Sequence, residues 1–159
     1  MADVPPLCLH LVDADATARL GQWFAAHLRA GDCLLLEGQI GAGKSHFARA
    51  FIQARLGRAE DVPSPTFTLV QSYQADVEIW HADLYRLSHP DEVLELGLEE
   101  AFDSAICLIE WPDRLGSLLP KGVMRLRFAL EGDGRRVAFL PGQRTDLVTD
   151  LAKEWADHD

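Results

Sequence analysis

Apolar and polar residues follow one another along this chain in two rhythms, one alternating and one helical, and the changes between them mark out its elements. Residues 7–12 read as a first strand. Asp13 or Asp15 then caps a helix whose apolar face is Leu20, Trp23, Phe24 and Leu28, with Gly31 as its stop. Residues 33–36 form a short apolar run of buried-strand type, and a glycine-rich loop, 38–43, leads into a helix over Lys44–Leu56 that Gly57 ends. After Pro63 and Pro65 come two strands at 67–73 and 77–82, which the polar residues 74–76 join into a hairpin. Ser88-His-Pro-Asp91 is a capping-box pattern opening a short helix through Val93, Leu94 and Leu96, and a second short helix follows Gly97 over 98–102. Residues 105–109 are the next buried strand. Pro112 opens a turn or short helix, and a second hairpin, Met124–Glu131 with 135–140, folds around Gly132-Asp-Gly134. A helix over 145–155 closes the chain. Strands alternating with helices, without repeats or linkers, predict an α/β fold with a mixed, mostly parallel sheet flanked by helices, and one domain over residues 1–159.

Composition narrows this. At 159 residues with 48% hydrophobic and 25% charged positions, the chain has the make-up of a soluble globular protein. Fifteen Lys and Arg against 25 Asp and Glu leave a net charge of −10, so it lacks the basic surface of a protein that grips nucleic acid alone, and any such role runs through a partner. The N-terminal residues have neither a basic nor an apolar signal region, and no apolar run approaches the ~20 residues of a membrane-spanning helix. A cytoplasmic protein is expected. Cys8, Cys33 and Cys107 each sit in an apolar strand-like run and read as small buried hydrophobes. The six histidines show no metal-ligand spacing.

The chemistry concentrates in Gly38-Gln39-Ile40-Gly41-Ala42-Gly43-Lys44-Ser45, which satisfies G-x-x-x-x-G-K-[ST] between a strand and a helix. Glycines let backbone N–H groups curl around phosphate oxygens, and the helix N-terminus adds its partial positive charge. Lys44 is expected to reach the β and γ phosphates, Ser45 to offer its hydroxyl to Mg²⁺, and His46 to complete the nucleotide-binding run. Such a site needs a carboxylate at the end of a neighbouring strand. Glu110 follows 106–109, the better apolar run, and Asp83 follows 79–82, a weaker one; both are taken as candidates. Ser64-Pro-Thr66 precedes a strand and is a candidate switch loop, although S-P-T is also a common turn. Tyr85, Arg86 and Trp111 are locally ambiguous between packing and function.

Four segments in this order resemble the TsaE (YjeE) family, the ATPase subunit of bacterial tRNA threonylcarbamoyladenosine biosynthesis. They are Gly38 to Ser45, Ser64-Pro-Thr66-Phe-Thr68-Leu-Val70, His81-Ala-Asp83-Leu-Tyr-Arg86-Leu87, and Ile109-Glu110-Trp111-Pro112. The resemblance implies a weak Mg²⁺-dependent ATPase that binds ATP. Its partners would be two proteins of the TsaB and TsaD type, which transfer a threonylcarbamoyl group to the adenosine beside the tRNA anticodon, with tRNA engaged indirectly. Carried over by position, it makes Lys44 a phosphate ligand, Thr66 the switch threonine, Ser45 and Asp83 part of the magnesium site, and Glu110 the metal-linked or catalytic carboxylate. Trp111 would lie near the nucleotide. Gln39 stands where the family usually has aspartate, and Ser45 where it usually has threonine.

Two other classes share the P-loop. A small-molecule kinase needs an Arg-rich lid, whereas residues 88–104 hold no Arg or Lys; a non-hydrolysing ATP-dependent switch module would differ only in turnover. A GTPase is disfavoured, since N-K-x-D cannot occur in a chain without Asn. Arg125 and Arg127 alternate with Met124, Leu126 and Phe128, which predicts a basic strand face with Arg136 opposite, either a solvated face that blunts a sheet edge or a docking patch.

Overall fold

The computed structural model describes residues 6–39, 42–58, 62, 70–85, 97–111, 119–120 and 122–156. Its strands are β1 (Leu7–Leu11), β2 (Cys33–Gly38), β3 (Val70–Gln74), β4 (Glu78–Asp83), β5 (Ile106–Glu110), β6 (Met124–Glu131) and β7 (Gly134–Leu140). They form a single sheet in the order β1-β7-β6-β2-β5-β4-β3. Its helices are α1 (Ala14–His27), α2 (Lys44–Leu56), α3 (Leu98–Ser104) and α4 (Asp146–Ala156).

The sheet is mixed. The three pairings among β4, β5, β2 and β6 are parallel, and the three outer ones are antiparallel hairpin-type or edge pairings. The mostly parallel character expected from the strand–helix alternation therefore belongs to the centre alone, where β2 and β5 are apolar on both faces as a parallel strand must be. Leu34 and Leu36 face the larger core with α1, α2 and α4, while Cys33 and Leu35 face a smaller one with α3.

Helix α1 starts where its sequence says it should, with the Asp13 carboxylate accepting the Ala16 N–H at 2.9 Å. It does not run to Gly31. It ends at His27, with Leu28 turned to extended backbone, because Arg55 of α2 donates to the carbonyls of Ala25 and Leu28 at 2.7 Å each and caps that end from outside. Gly21 lets α1 cross α2 closely: a Cβ there would lie 2.7 Å from the Phe47 carbonyl oxygen. Helix α2 has the predicted bounds, and Gly57 stops it in the left-handed conformation. The turn joining β3 to β4, the 98–102 helix, the 105–109 strand and the last hairpin and helix also form where the pattern puts them, within one or two residues. The capping box at 88–91, its helix, and the turn after Pro112 lie outside the described residues.

Two readings change. Cys8 is exposed, because on β1 the alternate residues Leu9 and Leu11 take the core face and leave Cys8 and His10 on the open one. Cys33 and Cys107 are buried register partners on β2 and β5. Burial pushes both thiols up, that of Cys107 to about 12. A thiol reagent at neutral pH therefore labels one cysteine in the native protein and three after unfolding; rapid native labelling of two or three would contradict the packing of β2 on β5. The arginine face, for its part, blunts no edge. Strand β6 is interior, and Arg125 and Arg127 both reach Glu37 of β2, at 3.0 and 3.7 Å.

Candidate functional site

The C-terminal ends of three parallel strands meet the N-terminus of α2. Strand β2 ends at Gly38, whose φ of 140° and position allow no side chain, since a Cβ would fall 2.5 Å from the Phe128 carbonyl oxygen on β6. Gly43 occupies the N-cap of α2 with φ 110° and brings no side chain to its N–H groups, which leaves that helix end open to an anion. Lys44 begins the helix. Though 5% exposed, its Nζ donates to the Gly38 carbonyl at 2.7 Å and lies 3.7 Å from the centre of the Trp111 ring. Trp111 reaches that position through a left-handed backbone, φ 60°, immediately after β5, and Tyr85 packs on its ring at 4.9 Å between centres.

Asp83 and Glu110, the last residues of β4 and β5, are register partners. Glu110 is 2% exposed and held from two sides: the Ser45 hydroxyl donates to Oε1 at 3.3 Å, and His81 Nε2 lies 2.8 Å from Oε2. Asp83 is half-buried and accepts the Tyr85 N–H at 3.1 Å. Burial pushes its carboxyl above the usual carboxylate range and the neighbouring Glu110 adds to the rise, against the pull of that N–H. A hydroxyl and two carboxylates make an oxygen-only donor set, suited to a hard divalent cation that keeps several waters and shares substrate phosphates. Among the described residues no group of three or more His, Cys, Asp or Glu is placed to hold a metal alone. A cation held here by Ser45, Asp83 and Glu110 would need further oxygen ligands from water or a bound molecule.

Gly43, Lys44, Ser45, Asp83, Tyr85, Glu110 and Trp111 line a cavity of about 670 Å³, within the ordinary range for a small-molecule ligand, whereas Gly38 is not among its lining residues. The rest of its lining, His46 aside, comes from residues to which the sequence reading gave no ligand role. Asp13, Ala14 and Thr17 come from the start of α1, and Asp133, Gly134 and Arg135 from the turn between β6 and β7. Gly134 fits beneath Leu11, whose carbonyl oxygen would be 2.5 Å from a Cβ. His46 also lines the cavity and bonds the Ala14 carbonyl at 3.0 Å, tying α2 to α1.

Residues 11–138 match the family described as threonylcarbamoyl adenosine biosynthesis protein TsaE. The chain belongs to the TsaE family. It is 39% identical to the Rickettsia bellii tRNA threonylcarbamoyladenosine biosynthesis protein TsaE, over 77% of this chain and 86% of that one. With the Bacillus subtilis TsaE it shares 35% identity over 93% of this chain and 92% of the other. The crystal structure of Bacillus subtilis YdiB superposes with a TM-score of 0.78 at 29% identity, covering 100% of this chain and 99% of that one.

The span matched to TsaE includes every residue named around the cavity, from Asp13 to Arg135. The fold brings together Gly43, Lys44, Ser45, His46, Asp83, Glu110 and Trp111, all expected from the sequence. Ala42 is buried beneath them, while Gln39 is exposed and is not among the described residues lining the cavity. Ile40, Gly41 and Thr66 lie outside the described residues. Sequence reasoning gave the α1 and β6–β7 lining no role because Asp13 read only as a helix cap and Asp133 only as a hairpin turn. The Gly132-Asp-Gly134 tip was the one available signal, and nothing local says that it folds beside α1.

Proposed function

We propose that this protein binds ATP with Mg²⁺ and hydrolyses it weakly. It serves as the ATPase subunit of the complex that adds threonylcarbamoyl to the tRNA adenosine next to the anticodon. The observation that carries this reading is one cavity shared by the uncapped N-terminus of α2, Lys44, Ser45 and two register-paired carboxylates at strand ends.

In this reading the α2 N–H groups and the Lys44 ammonium bind the phosphates, and Lys44 leaves the Gly38 carbonyl and the Trp111 ring to do so. Ser45 with Asp83 and Glu110 would hold Mg²⁺, which neutralises charge developing on the phosphate oxygens. Glu110 also orients the attacking water. The lining from α1 and the β6–β7 turn, with Asp13, Thr17 and Arg135, would take the nucleoside end of ATP. Thr66 is proposed as the switch residue that responds to the γ phosphate. Partners of the TsaB and TsaD type would receive the effect of hydrolysis in the cytoplasm, with tRNA touched through them. Among the described residues no helix is long and apolar enough to cross a membrane.

The test is ATP hydrolysis by the purified protein with Mg²⁺, alone and then with the two partner proteins and tRNA, using Lys44→Ala as the blank. Slow basal turnover that rises with the partners is the expected result. ATP binding without hydrolysis under every condition would replace it with a switch module, and phosphate on an added small molecule with a kinase.

A further inference from the structure

His81 is a buried polar residue in a largely apolar part of the sheet. It is 1% exposed on β4, on the same side of the sheet as Ile79; on β5 its register partner Leu108 and the adjacent Ile106 are apolar and fully buried, and on β3 its register partner is Gln71. An aliphatic side chain would pack there at no polar cost, whereas a buried imidazole loses hydration that only hydrogen bonds restore. One ring nitrogen is satisfied. Nε2 meets Glu110 Oε2 at 2.8 Å, but Nδ1, equally buried, has no partner among the described residues. The position therefore tolerates an unpaired polar atom in order to keep a single contact, the one to Glu110.

That contact completes the restraint of the carboxylate. Ser45 reaches Oε1 and His81 holds Oε2, so the two bonds together fix the plane of a side chain that would otherwise rotate about three bonds. For the imidazole to donate in this contact its proton must be carried on Nε2. From this geometry we infer that His81 is a positioning residue: by tying back Oε2 it presents Oε1 beside the Ser45 hydroxyl, where the cation and water of the proposed reaction would be held. The inference rests on the proposed role of Glu110 and specifies how this chain orients it. Partners that orient a metal-linked carboxylate typically matter about 10–100-fold in metal affinity.

The experiment measures ADP affinity by calorimetry with Mg²⁺ and with EDTA, together with ATP turnover. It compares wild type, His81→Leu, His81→Gln, Glu110→Gln and the double variant His81→Leu/Glu110→Gln. Glutamine places an amide N–H near the site of Nε2, whereas leucine keeps the bulk and drops the donor. Expected is an approximately 10-fold or larger loss in His81→Leu of the affinity gained with Mg²⁺, unchanged ADP affinity in EDTA, and recovery of most of the gain in His81→Gln. In the Glu110→Gln background the leucine change should add nothing, since its effect runs through Glu110. A normal Mg²⁺ gain in His81→Leu while Glu110→Gln loses it would overturn the role of His81 alone. A normal gain in Glu110→Gln would overturn the reading of Glu110 and this inference with it. Should His81→Leu fail to fold, nitrogen NMR of ¹⁵N-histidine-labelled wild type decides: a proton on Nε2 of His81, assigned by its loss in His81→Gln, is expected, and a bare Nε2 overturns the inference.

Discussion

Replacing Glu110 with glutamine lowers ATP turnover by about 10²–10⁴-fold, the range seen when a positioned acid–base group is removed, and leaves ADP affinity in EDTA near that of wild type. The physical basis is the division of the cavity. Glu110 is bonded to Ser45 and His81, and in the proposed reading it serves the cation and the water, not the phosphate itself. Its charge matters where a cation and a water must be held in register with a breaking bond. Glutamine keeps the size and the bond to Ser45 but removes the charge. Single-turnover hydrolysis and calorimetry separate the two effects. Equal losses of binding and turnover would mean that Glu110 serves the nucleotide directly, and the division of roles would be wrong.

Lys44→Ala acts on the other side of that division. Charge-assisted hydrogen bonds contribute about 1.5–3 kcal/mol, so ADP and ATP affinity should fall by about 10–150-fold. The low end is favoured by the resting contacts of Lys44. Its ammonium sits on the Gly38 carbonyl and over Trp111, and those contacts compete with a phosphate for it. The same geometry predicts that Lys44→Ala changes tryptophan emission even without nucleotide, because Trp111 loses the cation 3.7 Å from its ring centre. Unchanged affinity would show that the α2 N-terminus alone holds the phosphates. Unchanged emission with lowered affinity would place Trp111 away from Lys44 in solution.

Local signals served well wherever the decisive chemistry lies within a few residues. The bounds of α2 follow from a glycine at each end and an apolar stripe between them, and the Asp13 cap from a carboxylate next to the first turn. Placing Glu110 and Asp83 together at one sheet edge, where they line the cavity, needed only the rule that an acid just after a buried strand lies at that edge. The same rules failed where a partner from elsewhere intervened. Gly31 is a good stop signal, yet Arg55 ends α1 earlier by supplying the donors that a glycine cap would otherwise recruit from the backbone. Cys8 belongs to an apolar run, but alternation sends it to the open face of an edge strand.

By itself the sequence determined an α/β fold, its glycine-rich turn before α2, and the residues proposed to serve phosphate and a hard cation, because propensity, periodicity and motif spacing act over short stretches of chain. Only the tertiary structure decided that β4 lies beside β5, so that Asp83 meets Glu110, that His81 reaches across that pair to hold the carboxylate, and that the start of α1 and the β6–β7 turn close the cavity. Those juxtapositions depend on strand order and register, which arise from packing between segments far apart in the chain and leave no mark in any one of them.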